Sequence, residues 1–390
     1  MTPTPLRIAI IGGGPGGLVC ARVLQRHGIA VTVHDRDAAA DAHPQGGTLA
    51  VPEASGQLAL RATGRYEEFD ALARPEGQEK RLLDHTGALL FRHAPDPGED
   101  AAPEIDRAEL RRLLLGSLTP DTVRWGSYLR TLHPLGDGTH KAVFDDGHTE
   151  TFDLVIGADG AWSRVRPMLS DELPHYSGVT YVETGFDDAD ARHPAVADLV
   201  GDGSMMALSG NKGLIARRDI RGHLRVYAAF RASQDWAVEA GVNTGDPEAM
   251  RTALLDRFAG WGDTVLALLR EADGGFVNRP LFALPVPHTW AHTPGLTLLG
   301  DAAHLMTPFA GRGADLAMLD GCELAQALSR HTDPDDAVRA YEAVMLPRSA
   351  RAAADAAAGL DHAISPEAPH HSLRHLRRRH RHQPRTESGR

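Results

Sequence analysis

Gly12, Gly14 and Gly17 stand in a GxGxxG spacing between a short strand pattern, residues 7–11, and an apolar helical pattern over residues 16–27. Each glycine of such a turn has its own task. The first permits the tight bend, the second lets the backbone approach a pyrophosphate, and the third lets the helix lie close on the strand. The helix start adds unbonded N–H groups and the positive end of a dipole, so the implied ligand is a dinucleotide. Asp35 ends the next strand, residues 30–34, where a carboxylate can accept hydrogen bonds from adenosine ribose hydroxyls and would clash with a 2′-phosphate. A tight turn without a ligand is the alternative, and the combination of strand, helix and acid argues against it.

The elements that must hold this turn are legible around it. Residues 7–11, 16–27 and 30–34 read as a βαβ unit. A helical pattern follows over residues 106–118, then a strand at 123–125, and a hairpin turn at Asp145, Asp146 and Gly147. Residues 152–156 read as a parallel strand that delivers a loop, Gly157 to Gly160, to a sheet edge. Between about residues 176 and 276 the pattern becomes β-rich, with 224–230 the clearest strand, and includes a helix over 247–258. The strand 296–299 runs into Gly300 and Asp301, and helices are expected over 313–329 and 334–362. The basic, apolar-poor stretch beyond, including Arg377 to His382, reads as a disordered tail.

Composition narrows the classes. The chain has 390 residues, enough for two or three domains, with 42% hydrophobic and 24% charged residues, an ordinary globular balance. A formal charge of −11 disfavours nucleic acid and anionic membrane as partners. The two cysteines, Cys20 and Cys322, cannot build a disulfide framework or a thiolate metal site, so no metal is expected and a reducing cytoplasm fits. No signal peptide and no membrane span are expected.

Three separated motifs resemble the FAD-dependent aromatic hydroxylases, the single-component flavoprotein monooxygenases. They are the glycine turn with Asp35 and Arg36, the segment Gly157 to Gly160, and Gly300 to His304 leading into Pro308, Phe309, Ala310, Gly311, Arg312 and Gly313. The nearest likeness is to the tetracycline-inactivating flavin monooxygenases. It rests on Gly46 to Leu49, on Pro103 to Arg107 and on Gly300 to Gly311, and covers roughly residues 6–345. The resemblance implies an α/β fold with a Rossmann-like FAD-binding domain of the GR2 type, an inserted β-rich substrate domain and a bridging C-terminal helix. The expected boundaries are 1–70, 98–172 and 277–333 for the FAD domain and 71–97 and 173–276 for the substrate domain. The helix is expected at 334–362 and the tail at 363–390.

The same resemblance implies FAD contacts from Gly12, Gly14, Pro15, Gly17, Asp35, Arg36, Gly47, Thr48, Leu49, Arg107, Asp159, Gly300, Asp301, Pro308, Gly311, Gly313 and Ala314. Asp301 would hold ribityl or ribose hydroxyls, and the helix after Gly313 would aim its N–H groups at the flavin pyrimidine. Asp159 would serve both FAD and the nicotinamide donor, or else cap the segment 162–168; Arg36 could equally be a solvated charge. Departures from the family are Arg312 and Asp315, where glutamine and asparagine are usual, and His43 and Ala50, where the tetracycline enzymes carry a basic and an acidic residue. Arg225 and Ser204 stand where those enzymes use a histidine and an arginine against substrate.

No second GxGxxG is present, so NADH or NADPH is expected to bind transiently rather than in a domain of its own. The resemblance then implies a flavin C4a-hydroperoxide that hydroxylates or epoxidises an aromatic or polycyclic small molecule with O₂, in natural-product tailoring or antibiotic modification, as a monomer or weak oligomer. Pocket-wall candidates are Met205, Met206, Arg217, Arg225, Phe230 and Phe309, with core packing the alternative for the apolar ones. Arg225 in an apolar strand calls for an anionic ligand or a salt bridge. The alternative functions are a dehydrogenase or oxidase with FAD, and a non-redox cyclase or binding protein on the same scaffold.

Overall fold

The computed structural model describes residues 6–42, 46–94 and 102–381 of the chain. His43 lies outside them. Two compact units emerge: residues 1–75, 100–175 and 282–356 form the first, and residues 76–99, 176–281 and 357–390 the second.

The first unit is built on a parallel sheet of five strands among the described residues. Its order is Leu296–Leu298, Leu154–Gly157, Ile8–Ile11, Thr32–His34, Val123–Arg124. Ile8, Ala9, Ile10 and Ile11 are all buried, as a strand covered on both faces must be. In chain order the strands run 5-4-1-2-3, so the direction of winding switches between Ile8–Ile11 and Leu154–Gly157. Ligands of doubly wound sheets bind outside the carboxyl ends of the strands at such a switch. The helices Pro15–Arg26 and Gly313–Arg330 pack closely through small residues. A Cβ on Gly16 would come 2.6 Å from the Ala317 carbonyl oxygen, and one on Gly321 would come 2.2 Å from that of Gly16.

His34, at the end of the second strand, is 1% exposed, stacks on Phe144 at 4.5 Å between ring centroids, and bonds Ser127 Oγ through Nδ1 at 2.8 Å. Burial, with smaller contributions from Arg124 and His148, pushes its pKa down from 6.5 to about 4. The unfolded chain therefore takes up a proton before the folded one, and stability should fall as pH drops from 6.5 toward 4. We expect His34→Gln to be less sensitive to acid than the parent over that interval by about 3 kcal/mol, read by denaturant unfolding at both pH values. Parallel curves would show that His34 is not buried as the neutral form.

In the second unit a seven-stranded sheet among the described residues runs Val277–Ala283, His175–Phe186, Leu224–Arg231, Lys212–Arg218, Ser204–Ser209, Lys80–Leu83, Leu89–His93. One face carries Met205, Ala207, Leu214, Val226 and Phe230 into a core with Trp236, Leu254 and Phe258. Period-two alternation turns Ser204, Met206, Arg217, Arg225 and Tyr227 to the other face.

The helix expected near 334–362 is Pro334–Ala363, and its residues fall in both units. Beyond it the structure differs from the expected disordered tail. Ile364 is fully buried, its carbonyl accepts Arg231 Nε at 2.7 Å, and Ser365 O accepts Asn211 N–H at 2.9 Å. These bonds to the sheet anchor the chain, and a helix, His370–Arg381, follows. Composition weighed the many arginines and missed these long-range backbone bonds. Among the described residues no helix is long and apolar enough to cross a membrane.

Candidate active site

The glycine turn lies at the switch point. Gly12 has φ +112°, and a Cβ there would sit 2.3 Å from the Ala158 carbonyl oxygen, so only glycine fits. Its N–H donates to His34 O at 2.8 Å. A Cβ on Gly17 would meet Gly12 O at 2.2 Å, which is the close helix-on-strand approach that spacing implied. Gly14 is the reverse case. A Cβ there would have no neighbour within 4 Å, and no side chain caps the Pro15–Arg26 helix that Gly14 introduces. The space over an uncapped helix start fits a pyrophosphate.

Asp35 is buried and already aligned: Oδ2 accepts Gly13 N–H at 2.6 Å and Oδ1 accepts Asp37 N–H at 2.8 Å. A carboxylate has room for further donors such as ribose hydroxyls. Arg36 is exposed. Arg111, which sequence reasoning overlooked, lies under the same turn. It is 4% exposed, reaches Gly13 O at 3.4 Å and Ala40 O at 2.5 Å, pairs with Asp37 at 3.4 Å and stacks on Trp125. Its signal was a charge on the buried face of the 107–115 helix, beside Leu110 and Leu114.

A two-stranded ribbon brings two distant segments together, Thr48–Ala50 against Glu104–Asp106. Gly47 O accepts Arg107 N–H at 3.0 Å, and Thr48 Oγ1 donates to buried Glu104 at 2.8 Å. Asp106 caps the helix Arg107–Leu115 by accepting from Ala108 N–H and Glu109 N–H. Arg107, at the first position of that helix, lies within electrostatic reach of Asp301.

Asp301 follows Gly300, whose φ is +61°, directly after the strand Leu296–Leu298. Water reaches its side chain, yet the surrounding protein pushes its carboxyl up, while His304, Arg107 and Arg166 pull it back. Those properties place it in a concave site. A Cβ on Gly313 would come 3.7 Å from Asp301 Oδ1, so the start of the helix Gly313–Arg330 lies beside it. That start has no side-chain cap and follows Gly311 in the left-handed region, with Pro308–Ala310 as a single turn before it. Ala314 is half-buried, as is Phe309.

The two departures near this helix are partners. Arg312 Nε meets Asp315 Oδ2 at 3.0 Å, and Asp315 Oδ1 accepts Gly56 N–H at 2.8 Å. Burial pushes the Asp315 carboxyl up and Arg312 draws it back. Asp159 has both oxygens engaged, by Ser163 Oγ at 2.5 Å and by Arg164 N–H at 2.6 Å. These bonds brace the loop; the single turn that follows, Arg166–Met168, has Val165 at its start, so Asp159 is not a helix cap. Arg166, 2% exposed, joins that loop to the next by donating to Ala161 O and Ala302 O; no local pattern announced it.

In the second unit the register sorts the wall candidates. Ser204, Arg217, Arg225 and Gly185 lie in one row across four strands, and Met206, Ile215, Tyr227 and Glu183 in the next row on the same face. Phe230 lies on the opposite face, fully buried, edge-on to Trp236 at 5.1 Å and beneath Arg257. It is core, as is Met205, because an even step along a strand keeps the face and an odd step reverses it. Arg225 is paired with Glu183 and, at 3.2 Å, with Asp219, so its charge is met within the protein.

The chain's residues 6–213 and 289–356 match the model of the FAD-binding-domain family. The chain belongs to the FAD-dependent monooxygenases. Monooxygenase penA of Penicillium thymicola is 32% identical over 89% of this chain and 92% of its own. The 3-amino-4-hydroxybenzoate 2-monooxygenase PtnB3 of Streptomyces platensis is 32% identical over 88% and 84%. Among solved structures, Klebsiella pneumoniae HpxO with FAD and uric acid superposes with a TM-score of 0.78 at 22% identity, over 96% of this chain and 92% of that one. The tetracycline destructase Tet(55) gives 0.73 at 21% identity, over 97% and 95%. These two show a shared fold. The protein is thus a flavin-dependent monooxygenase with the Rossmann-like fold, and FAD is its cofactor.

Proposed function

We propose that this monooxygenase draws electrons from NADH or NADPH, bound transiently, and hydroxylates or epoxidises an aromatic or polycyclic small molecule in natural-product tailoring or antibiotic modification. The first unit acts as the FAD-binding domain and the second as the substrate domain. The observation that carries this reading is the meeting, at the carboxyl ends of one parallel sheet, of an open Gly14 turn, an accessible Asp301 and an uncapped helix start at Gly313. FAD, when bound, stores the electrons and activates O₂.

The chain's own residues supply position and charge. Gly12, Gly14, Pro15 and Gly17 present the helix start to the pyrophosphate. Asp35 would accept from the adenosine ribose, and Asp301 from the ribityl chain. Gly47, Thr48, Leu49 and Arg107 hold the cofactor from the ribbon side, with Pro308, Gly311 and Ala314 around the flavin. The N–H groups at Gly313 would stabilise negative charge on a flavin ring held there. On the sheet face, Met206 and Arg217 with Tyr227 contact an electron-rich, acidic aromatic such as a phenol; PtnB3, named for an aminohydroxybenzoate, supports that class. The test follows NADH and NADPH oxidation in air while phenols, aromatic polyketides and tetracyclines are added. Substrate-accelerated oxidation with a product heavier by one oxygen atom supports the proposal; oxidation yielding only peroxide would leave an oxidase. With the substrate found, Arg217→Ala should raise KM about 10-fold to 100-fold with a smaller change in kcat, the loss of a charge-assisted hydrogen bond. An unchanged KM would remove Arg217 from the site.

A further inference from the structure

The segment Gly300–His304 is tied at both ends to one carboxylate oxygen. Asp320 Oδ2, on the helix Gly313–Arg330, accepts Gly300 N–H at 3.1 Å and meets His304 Nε2 at 2.6 Å. Its other oxygen accepts Arg348 at 2.8 Å, and Arg348 also meets Glu323 at 2.6 Å. His304 and Asp320 are 4% and 0% exposed. Neither is among the residues proposed above to hold the cofactor, yet Asp301 is carried between Gly300 and His304, which Asp320 anchors. We propose that His304 is a positioning residue for the cofactor: acting through Asp320, it clamps both ends of the turn that presents Asp301 to FAD.

A buried ion pair with several hydrogen bonds fixes geometry, because each partner leaves an uncompensated charge if it moves. The charged and titratable groups that act on His304 are Asp320, Asp301 and His288; behind them Arg348, from the helix Pro334–Ala363, meets Asp320 and Glu323, and Arg166, from the turn Arg166–Met168, acts on Asp301 and His288. Burial pushes the imidazole down, but Asp320 and then Asp301 outweigh it, and the net shift is upward. The charged clamp is therefore complete below the ordinary histidine value of 6.5 and loosens as pH rises through the raised one. Nδ1 has no hydrogen-bond partner among the described residues, and a cavity of about 10 Å³ lined by His304, His288 and Ser349 has the size of one water that could satisfy it.

The inference rests on Asp301 as an FAD contact, and the test separates the two. Apoprotein of the full chain is titrated with FAD from about pH 6 to about pH 9, with flavin fluorescence as readout and apoprotein melting as the fold control. The parent should lose about tenfold in affinity as pH rises, the gap between a charged and a neutral hydrogen bond. His304→Leu should bind FAD about tenfold to a hundredfold more weakly at low pH and without the pH slope. His304→Gln keeps a donor toward Asp320 and should recover part of the affinity, also without the slope. His304→Leu with the parent's affinity at every pH, or His304→Gln with the parent's slope, would overturn the proposal and leave the FAD site standing. A parent that took up no FAD at any pH would sink both. Should His304→Leu fail to fold, ¹⁵N resonances of the parent's imidazole decide: a charged ring at neutral pH is expected, and a neutral ring overturns the clamp.

Discussion

Gly14→Val is expected to keep its fold and lose at least about 100-fold in FAD affinity. Gly14 has φ −77° and ψ 174°, ordinary extended backbone, and an added Cβ has no neighbour within 4 Å, so the folded apoprotein has no reason to resist the change. The valine would fill the space through which the pyrophosphate approaches the helix start and cost two or more charge-assisted hydrogen bonds. Gly12→Val is the contrasting case. With φ +112° and a Cβ 2.3 Å from the Ala158 carbonyl oxygen, it should cost about 3 kcal/mol or more of stability before any ligand is added. Denaturant unfolding of the two apoproteins and FAD titration of each would separate a ligand cradle from a structural bend. Parent-like FAD affinity in Gly14→Val would mean that the pyrophosphate lies elsewhere.

The second large effect lies in the core of the same unit. Asp320→Ala should destabilise the protein by about 3–5 kcal/mol, since it strips His304, Arg348 and the Gly300 N–H of one shared acceptor. Arg348 would keep Glu323, and His304 would shed its proton, so the loss should deepen as pH falls and more His304 must be charged. Unfolding midpoints at two pH values read both parts. A loss under about 1 kcal/mol would mean that the carboxylate is solvated in the native state.

Much of the fold was legible because the rules that shape it are local. A four-residue apolar run, three spaced glycines and a helical pattern specify a βαβ turn, and steric limits at Gly12 and Gly17 enforce it whatever else the chain does. The parallel strands at 154–157 and 296–298 announced themselves in the same way, each ending in a glycine-bearing loop. Other features depended on neighbours far along the chain. The Leu224–Arg231 strand offered both Arg225 and Phe230 for a pocket wall, with a salt bridge the alternative for the first and core packing for the second; the register sent Phe230 into the core and gave Arg225 to Glu183 and Asp219. Composition made the basic tail look unstructured until Ile364 and Ser365 met Arg231, at the end of a central strand, and Asn211, in the turn between two inner strands.

The kind of protein was written in the sequence, through three ordered motifs, the nucleotide-binding turn among them, whose chemistry resides in backbone sterics and residue type. Tertiary structure alone decided which charges are spent on one another and which face the site. Asp159 is held by Ser163 and Arg164, Arg312 by Asp315, and His304 by Asp320, while Asp301 remains open to water. The reason is physical: a side chain's identity sets what it can bind, but its free energy of binding depends on burial and on partners that only the folded chain brings within 3 Å or so.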